Sequence, residues 1–279
     1  MKQGNASSAE VRTAVILAAG LGTRLADQHD DSPKGFLMVG DDAPIIEESV
    51  DKLATAGIER VVIVTGHLAE YYEKFAASRP NLIETVHNPD YANSGSMYSL
   101  YCARHQLDSD FLLLESDLVY EKRALDVLLA GVADAVLMSG PTYAGDEVYI
   151  QAPDGLLQQM SKDRDELQSI TGELVGISRV SFRLWETMRE HAARAFEETL
   201  HVAYETDSLV AAAAQLPVTC PLVEDLLWGE IDDKGHLERV RDQVYPAIER
   251  RDGSSGWARV ARPPATTTSG PVLGTSWHY

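Results

Sequence analysis

The sequence predicts a three-layer α/β/α fold in which a mostly parallel, mixed sheet lies between two layers of helices. Apolar runs alternate with segments of helical periodicity from Thr13 to Gly140, which is typical of strands joined by crossover helices. Most of these runs are apolar nearly throughout, as in strands that are buried on both faces. The chain has 279 residues, 44% of them hydrophobic, so it can bury a large core.

The first half of the chain contains five predicted strands and four predicted helices. The strands are short, apolar runs: Thr13–Ala19, Arg60–Gly66, Asn81–Asn88, Phe111–Asp117 and Ala133–Gly140. The helices have apolar residues at helical spacing: Ala43–Gly57, Leu68–Ala77, Ser96–His105 and Glu121–Ala130. The first helix ends on a glycine, a common residue at helix carboxyl termini.

The pattern changes after Gly140. Two short runs, Glu147–Pro153 and Gly155–Ser161, predict a hairpin around the turn residues Pro153, Asp154 and Gly155. The remaining predicted elements are the strands Gly172–Ser181 and Pro217–Glu224 and the helices Phe182–Ala195, Ser208–Ala214 and Lys234–Glu249.

We expect a single domain over residues 11–249. Residues 250–279 are rich in Gly, Ser, Thr and Pro and show no periodicity, which predicts a disordered tail. The first ten residues are expected to be flexible as well.

Composition restricts the function classes. The net charge of −19 argues against a nucleic-acid or anionic-membrane partner, because such surfaces select basic patches. No apolar run approaches the ~20 residues of a membrane span, and the amino terminus lacks the layout of a signal peptide. We therefore expect a cytoplasmic protein whose two cysteines, Cys102 and Cys220, are reduced thiols. A monomer and a homodimer both remain open.

A glycine turn follows the first predicted strand. Backbone N–H groups of such a turn can bind a phosphate, although a merely tight turn is the alternative. A Walker motif requires a lysine after Gly22, where Thr23 stands. The dinucleotide motif requires a third glycine where Leu25 stands and an acidic residue where the second strand ends in Thr65 and Gly66. Neither motif is present.

The whole stretch, LAAGLGTRL followed by Pro33 and Lys34, resembles the signature of the sugar-phosphate nucleotidyltransferase superfamily, whose fold is Rossmann-like. The resemblance implies that the turn wraps a nucleoside triphosphate, with contacts from Leu17, Ala18, Ala19, Gly20, Leu21, Gly22 and Thr23. It also implies that Arg24 and Lys34 are catalytic and stabilise the negative charge that develops on the phosphates.

Two acidic pairs are candidates for holding Mg²⁺, a hard cation that prefers carboxylate oxygens. Glu115 and Asp117 end a predicted strand, and Glu230 and Asp232 precede the last helix. Spacing alone leaves a solvated strand end as the alternative for each pair. The chain is also similar to the bacterial phosphocholine cytidylyltransferase branch and its phosphonate-specific relatives. That resemblance implies a metal site of Asp117, Glu230 and Asp232, with Glu115 beside it at the nucleotide.

Three segments of the middle region, Ser139–Ile150, Met160–Leu167 and Gly172–Ser181, resemble 2-aminoethylphosphonate cytidylyltransferases. The resemblance implies that Lys162 holds the phosphonate or phosphate of an acceptor. Phosphocholine enzymes have an aromatic pair where Glu205 and Thr206 stand here.

Carboxylates could bind a primary ammonium on the acceptor: Asp146, Glu147, Glu205 and Asp207. A helix-opening role explains Asp207 about as well. A phosphonate acceptor that lacks an amine is a further alternative.

The segment before the helix at Ser96–His105 is expected to lie near the nucleotide base. Relatives often have paired asparagines where Gly95 and Ser96 stand, so the preference for CTP rests on the resemblance alone. Ser96 and Ser99 are the candidate polar contacts, with helix capping as the alternative for Ser96.

The resemblance thus implies a Mg²⁺-dependent cytidylyltransferase that joins CTP to a small phosphonate, with 2-aminoethylphosphonate preferred, and releases pyrophosphate. A phosphocholine or other phosphomonoester enzyme is the first alternative, and a catalytically silent nucleotide-sensing subunit is the second. The acceptor brings its own anionic nucleophile, consistent with the absence of a nucleophilic motif. The histidines show no metal-ligand spacing and are interpreted as surface or core residues.

Overall fold

A nine-stranded mixed sheet lies at the centre of the protein. The computed structural model describes residues 10–22, 32–131 and 134–254. The strands of the described residues are β1 (Thr13–Ala18), β2 (Arg60–Thr65), β3 (Ile83–His87), β4 (Phe111–Glu115), β5 (Leu118–Tyr120), β6 (Ala135–Ser139), β7 (Tyr149–Gln151), β8 (Gln159–Ser161), β9 (Gly172–Val180), β10 (Leu222–Val223) and β11 (Trp228–Glu230).

The main sheet has the order β10-β6-β9-β4-β1-β2-β3, and the hairpin of β7 and β8 is attached to β9. β1 pairs in parallel with both β2 and β4, whereas β9 runs antiparallel to β4 and β6. The predicted fold class is therefore confirmed. The strand order reverses at β1, and ligands of open α/β sheets bind where carboxyl ends of strands meet at such a reversal.

Helices cover the sheet on both faces. They are α1 (Ile45–Thr55), α2 (Ala69–Ser78), α3 (Ser96–Cys102), α4 (Arg123–Ala130), α5 (Phe182–Ala195), α6 (Val210–Ala213), α7 (Lys234–Arg239) and α8 (Tyr245–Ser254). Two π-helical segments, Tyr204–Leu209 and Val240–Val244, precede α6 and α8.

The structure corrects two predicted element bounds. The strand expected over 217–224 is reduced to the two residues of β10, because the only other pairing with β6 in the described chain is an isolated bridge between Thr219 and Ala135. The last helical region continues through α8 to Ser254, so the boundary expected at 249 is five residues too early. Residues 255–279 and 1–9 lie outside the described residues, and the domain limits stay a prediction.

The core consists of apolar clusters on the two faces of the sheet. One contains Trp185 and Met97, and the other contains Tyr72 and Ile46. A smaller third cluster packs Tyr245 and Ile248 of α8 against β5. Both cysteines are free thiols, as expected, although Cys102 is only half-buried. Among the described residues no helix combines the length and apolar character that a membrane crossing requires.

A separate two-stranded ribbon, β5 with β11, was absent from the predicted elements. The antiparallel register places Glu230 opposite Leu118 and Trp228 opposite Tyr120. One further hydrogen bond runs from Ile231 N to Asp117 O at 3.2 Å. The ribbon thus fixes the chain around residue 230 beside the end of β4.

Candidate active site

The glycine turn leaves the carboxyl end of β1 at the point where the strand order reverses. Gly22 adopts φ +64°, a left-handed conformation that glycine adopts without strain. A Cβ atom on Gly22 would lie 3.4 Å from the Lys34 side chain, so the turn and the lysine pack closely. Thr23 and Arg24 lie outside the described residues, and their predicted roles stay predictions.

Lys34 begins a 3₁₀ turn directly after Pro33. Phe36 anchors this turn by packing edge-on against Tyr72, with ring centroids 5.1 Å apart. A side chain at position 35 would clash, because a Cβ atom added to Gly35 would lie 2.9 Å from the Tyr72 hydroxyl. The lysine is therefore held on a rigid, packed segment and extends toward the end of β4.

The ribbon brings the two predicted acidic pairs together across more than a hundred residues of chain. Carboxylate oxygens of Glu115, Asp117 and Glu230 lie within 4.8 Å of one another. Glu115 ends β4, Asp117 occupies the turn into β5, and Glu230 ends β11. The solvated-strand-end alternative does not describe this cluster, because Asp117 and Asp232 are only 9% and 5% exposed.

Lys34 connects the cluster to Asp232. Its ammonium group donates to Asp117 Oδ2 at 3.0 Å and also to Asp232 Oδ1. Burial lowers the pKa of Lys34, but Asp117 and Asp232 raise it more strongly, so the pKa lies above its ordinary value. The lysine carries a full positive charge among carboxylates that are close enough to share one cation.

The carboxylates of the cluster repel one another. Desolvation, followed by the charges of Glu205 and Asp117, raises the pKa of Glu115 to about 8. Desolvation together with Glu115, Asp117 and Asp232 raises the pKa of Glu230 to about 10. Three carboxylates at this spacing form a set of hard oxygen donors, which fits Mg²⁺ or a similar divalent cation.

A cavity, the glycine-turn pocket, opens above these acids. Its lining joins the end of β1, the lysine turn, the start of α3 and the end of β4, and includes Leu17, Ala18, Ala19, Gly20, Leu21, Gly22, Lys34, Ser94, Gly95, Ser96, Ser99, Glu115 and Asp117. Every predicted nucleotide contact among the described residues therefore lines a single cavity.

Two serines of α3 are positioned by other groups. Ser99 Oγ accepts from Asn88 Nδ2 at 3.0 Å. Ser96 Oγ accepts from Tyr204 N at 2.9 Å and donates to Glu205 Oε2 at 3.3 Å. Ser96 does not cap α3, since Gly95 is the N-cap and no side chain caps this helix, so the capping alternative for Ser96 is wrong.

A second cavity, the acidic pocket, adjoins the first at Glu115. Six carboxylates and two cations line it: Glu115, Asp146, Glu147, Glu205, Glu230, Asp232, Lys162 and Arg239. Burial raises the pKa of Glu205. Burial alone would raise the pKa of Glu147 as well. Backbone N–H groups of its own loop lower this pKa more strongly, so the carboxylate stays ionised.

Asp207 does not line the acidic pocket. It lines a neighbouring cavity with Lys162 and Glu205, and its carboxylate accepts from Ala203 N at 2.8 Å. That bond supports the helix-opening alternative for Asp207. Its role as an acceptor contact stays a prediction.

Two residues of the site were missed from the sequence. His236 lies beside Asp232 and Asp146, with Nε2 3.5 Å from Asp146 Oδ1, so it belongs to the acidic pocket's edge and not to a remote surface. The sequence indicated this contact only through spacing, since His236 follows Asp232 by four residues, about one helical turn. Arg239 carried no motif and follows one turn later.

Comparison with known proteins identifies the family. A family model described as a MobA-like NTP transferase domain matches residues 14–196. The chain belongs to this family. It is a nucleotidyltransferase, as its resemblance to that superfamily indicated. The matched range includes the glycine turn and the β4 acids but ends before Glu230.

Relatives with named activities extend the comparison. The CMP-5'-(3-aminopropyl)phosphonate synthase of Streptomyces rubellomurinus is 31% identical over 85% of this chain, although only 40% of that longer protein is spanned. The 2-aminoethylphosphonate cytidylyltransferase of Lancefieldella rimae is 28% identical over 83% of this chain and 92% of its own length.

A solved structure shares the fold. The CTP:phosphocholine cytidylyltransferase of Streptococcus pneumoniae superposes with a TM-score of 0.70 at 22% identity, covering 83% of this chain and 99% of that one. At this identity the likeness concerns the fold.

Proposed function

We propose that the protein transfers CMP from CTP to a small amino-phosphonate, preferably 2-aminoethylphosphonate, in a Mg²⁺-dependent reaction that releases pyrophosphate. The observation that carries this proposal is the charge layout of the acidic pocket, where Lys162 faces the same cavity as Glu147 and Glu205. Such a pocket suits a zwitterion with an anionic phosphonate at one end and an ammonium at the other. The names of the two phosphonate relatives agree with this substrate class.

The two adjoining pockets supply the geometry for direct transfer. CTP would occupy the glycine-turn pocket and the acceptor the acidic pocket, with the reacting atoms near Glu115, which lines both. A phosphonate oxygen forms the new bond to the α-phosphorus as the bond to the pyrophosphate oxygen breaks. The phosphonate is already an anion, so no side chain has to remove a proton.

The residues of the chain then act by position and charge. Backbone N–H groups of Gly20–Gly22 bind the triphosphate, and Lys34, together with Arg24, counters the charge that accumulates on the leaving pyrophosphate. Asp117 and Glu230, whose carboxylates lie in one cluster, would hold Mg²⁺ together with Asp232, which shares the Lys34 ammonium with Asp117. The ion would supply further positive charge to the phosphate oxygens.

Phosphocholine is the competing acceptor. A quaternary ammonium donates no hydrogen bond and is bound best by several aromatic faces. Among the described residues that line the acidic pocket, Trp228 is the single aromatic one, and its ring nitrogen is already bonded to Ser139 Oγ at 2.8 Å. Six carboxylates line the same pocket, which favours a primary ammonium that can donate hydrogen bonds to them.

The test is a pyrophosphate-release assay with the purified protein, Mg²⁺ and each nucleoside triphosphate. Acceptors would be 2-aminoethylphosphonate, 3-aminopropylphosphonate, an alkylphosphonate without an amine, and phosphocholine. We expect turnover with CTP and the amino-phosphonates. Turnover confined to phosphocholine would refute the acceptor, and CTP binding without any turnover would support a sensing subunit instead.

A further inference from the structure

Arg239 is a guanidinium without a partner. Its Nε atom is buried and has no hydrogen-bond acceptor, and no described residue forms an ion pair with the side chain. Its neighbours behave differently: Arg241 Nε donates to Asp242 at 2.9 Å, and Arg251 donates to buried Glu121 at 3.1 Å. Buried N–H groups are almost always satisfied in folded proteins, so an unpaired one requires an explanation.

The explanation lies in the rest of the guanidinium, because its Nη groups, unlike Nε, are open to a cavity. The side chain lines the acidic pocket but not the glycine-turn pocket. Gly229 of β11 makes room for it, because a Cβ there would lie 3.2 Å from Nη2 of Arg239 and 2.7 Å from Val240. The guanidinium is therefore packed against the strand that ends in Glu230.

The acidic pocket contains many carboxylates with which Arg239 could form an ion pair. Six carboxylates line this cavity, yet its two cations, Arg239 and Lys162, form no ion pair with any described residue. An arginine that served only to balance the local charge would be expected to pair with one of these carboxylates. Two unpaired cations in one small cavity are instead suited to an anion that enters from solution.

The local helix geometry is unusual at the same place. A π-helical segment, Val240–Val244, begins directly after Arg239, and the other such segment among the described residues, Tyr204–Leu209, contains Glu205 of the same pocket. π-Helical turns are rare and occur often at functional sites.

We propose that Arg239 binds the phosphonate group of the acceptor, with its two Nη groups donating to two of its oxygens while Lys162 contributes a second positive charge. This inference rests on the proposed function, which places the acceptor in the acidic pocket. The planar guanidinium matches two oxygens of a tetrahedral oxyanion, a geometry that a lysine cannot reproduce. Glu147 and Glu205 then bind the other end of the acceptor.

The test compares Arg239→Gln and Arg239→Lys with the wild type and with Arg241→Gln, a matched control for an exposed arginine two residues away. We expect KM for 2-aminoethylphosphonate to rise roughly 10- to 100-fold in Arg239→Gln, as for loss of hydrogen bonds to a charged group. KM for CTP and the melting temperature should not change. Arg239→Lys should be intermediate, and Arg241→Gln should match the wild type.

Inhibition by an alkylphosphonate that lacks the amine provides a second readout. It should weaken in Arg239→Gln by the same factor as the acceptor KM, because both report the phosphonate end. An unchanged acceptor KM, or an equal rise in KM for CTP, would overturn the proposal.

Failure of the proposed function is recognised separately, as absence of wild-type turnover with every acceptor. In that case isothermal titration calorimetry with inorganic phosphate tests whether Arg239 forms an oxyanion site. Binding to the wild type that is lost in Arg239→Gln supports an oxyanion site, whereas equal binding or none refutes it.

Discussion

The two pockets that meet at Glu115 are lined by different kinds of groups. The glycine-turn pocket, of about 370 Å³, is formed largely by backbone and small side chains around a single described cation, Lys34. The acidic pocket, of about 180 Å³, is half that size and is lined by charged side chains from several separate segments. Backbone groups suit the triphosphate that all these enzymes share, while charged side chains can select one acceptor among many.

The largest effect is expected from the carboxylates that we propose as metal ligands, of which Asp117 lines the glycine-turn pocket and Glu230 and Asp232 line the acidic pocket. Asp117→Asn should lower kcat on the order of 100- to 1000-fold with 2-aminoethylphosphonate and with 3-aminopropylphosphonate. The reason is that it removes the charge of a proposed metal ligand, on which CTP and the acceptor both depend. The melting temperature should change little, since loss of the ion pair with Lys34 is offset by loss of one carboxylate that repels Glu115 and Glu230. The control is Asp108→Asn on the exposed surface. Near-normal turnover of Asp117→Asn would contradict the metal assignment.

A selective loss is expected from Glu205 in the acidic pocket. Glu205→Gln should raise KM for 2-aminoethylphosphonate roughly 10- to 100-fold, because the ammonium loses a charged partner. KM for CTP and inhibition by an amine-free alkylphosphonate should hardly change. Glu198→Gln, at an exposed position on the loop after α5, serves as the control. Parallel losses for both substrates would show that the two pockets are not independent.

The crowded carboxylates predict that stability depends on pH and metal together. The folded-state pKa values of Glu115 and Glu230, about 8 and about 10, lie above the ordinary value of 4.5. The folded protein therefore holds these protons more tightly than the unfolded chain does. The stability they contribute is complete below about pH 4.5 and is lost as the pH rises toward 8 and 10.

Mg²⁺ should reverse this loss, because it binds the deprotonated carboxylates. We expect the rise in melting temperature on adding Mg²⁺ to be larger at pH 9 than at pH 6.5 by several degrees, at about 2–4 °C per kcal/mol. Differential scanning fluorimetry with EDTA as the reference measures it. Glu230→Gln should reduce the difference, and an equal rise at both pH values would argue against metal binding by these acids.

The smallest effect should come from Ser96, which connects the pockets. Its hydroxyl lines the glycine-turn pocket and also donates to Glu205 of the acidic pocket. Ser96→Ala should raise KM for CTP and for the acceptor by about 3- to 10-fold each, as for loss of one neutral hydrogen bond. Ser109→Ala, at an exposed position outside both pockets, is the control. If only one of the two KM values changed, the Ser96 hydroxyl would contribute to one pocket and not to both.

The same contrast explains what could be predicted from the sequence. The strands of the main sheet are continuous apolar runs, and the glycine turn is one continuous stretch, so local pattern revealed both. The candidate metal acids were found as two separate pairs, and only the resemblance to known enzymes, not their spacing, implied that they meet. Their meeting depends on the ribbon of β5 and β11, whose three-residue strands are too short to show periodicity.

Residues of the acidic pocket were harder to assign. Lys162 and Glu205 were identified only through resemblance to known enzymes. Arg239 was missed because nothing distinguishes it in sequence from Arg241, and only the fold shows that the first faces a cavity and the second faces Asp242. Asp207 was assigned to the acceptor through the same resemblance, and the sequence does not show that its carboxylate accepts from Ala203 N at the start of the helical segment.

The late position of β11 has a consequence for the protein's biosynthesis. A ribosome releases the chain from its amino terminus, so the glycine turn, Lys34 and the first acidic pair emerge long before Glu230 and Asp232. Until that last segment is translated, Glu115 and Asp117 lack the carboxylates that complete the cluster, and Lys34 lacks one of its two partners. A nascent or prematurely terminated chain can therefore carry the nucleotide motif without the means to use it.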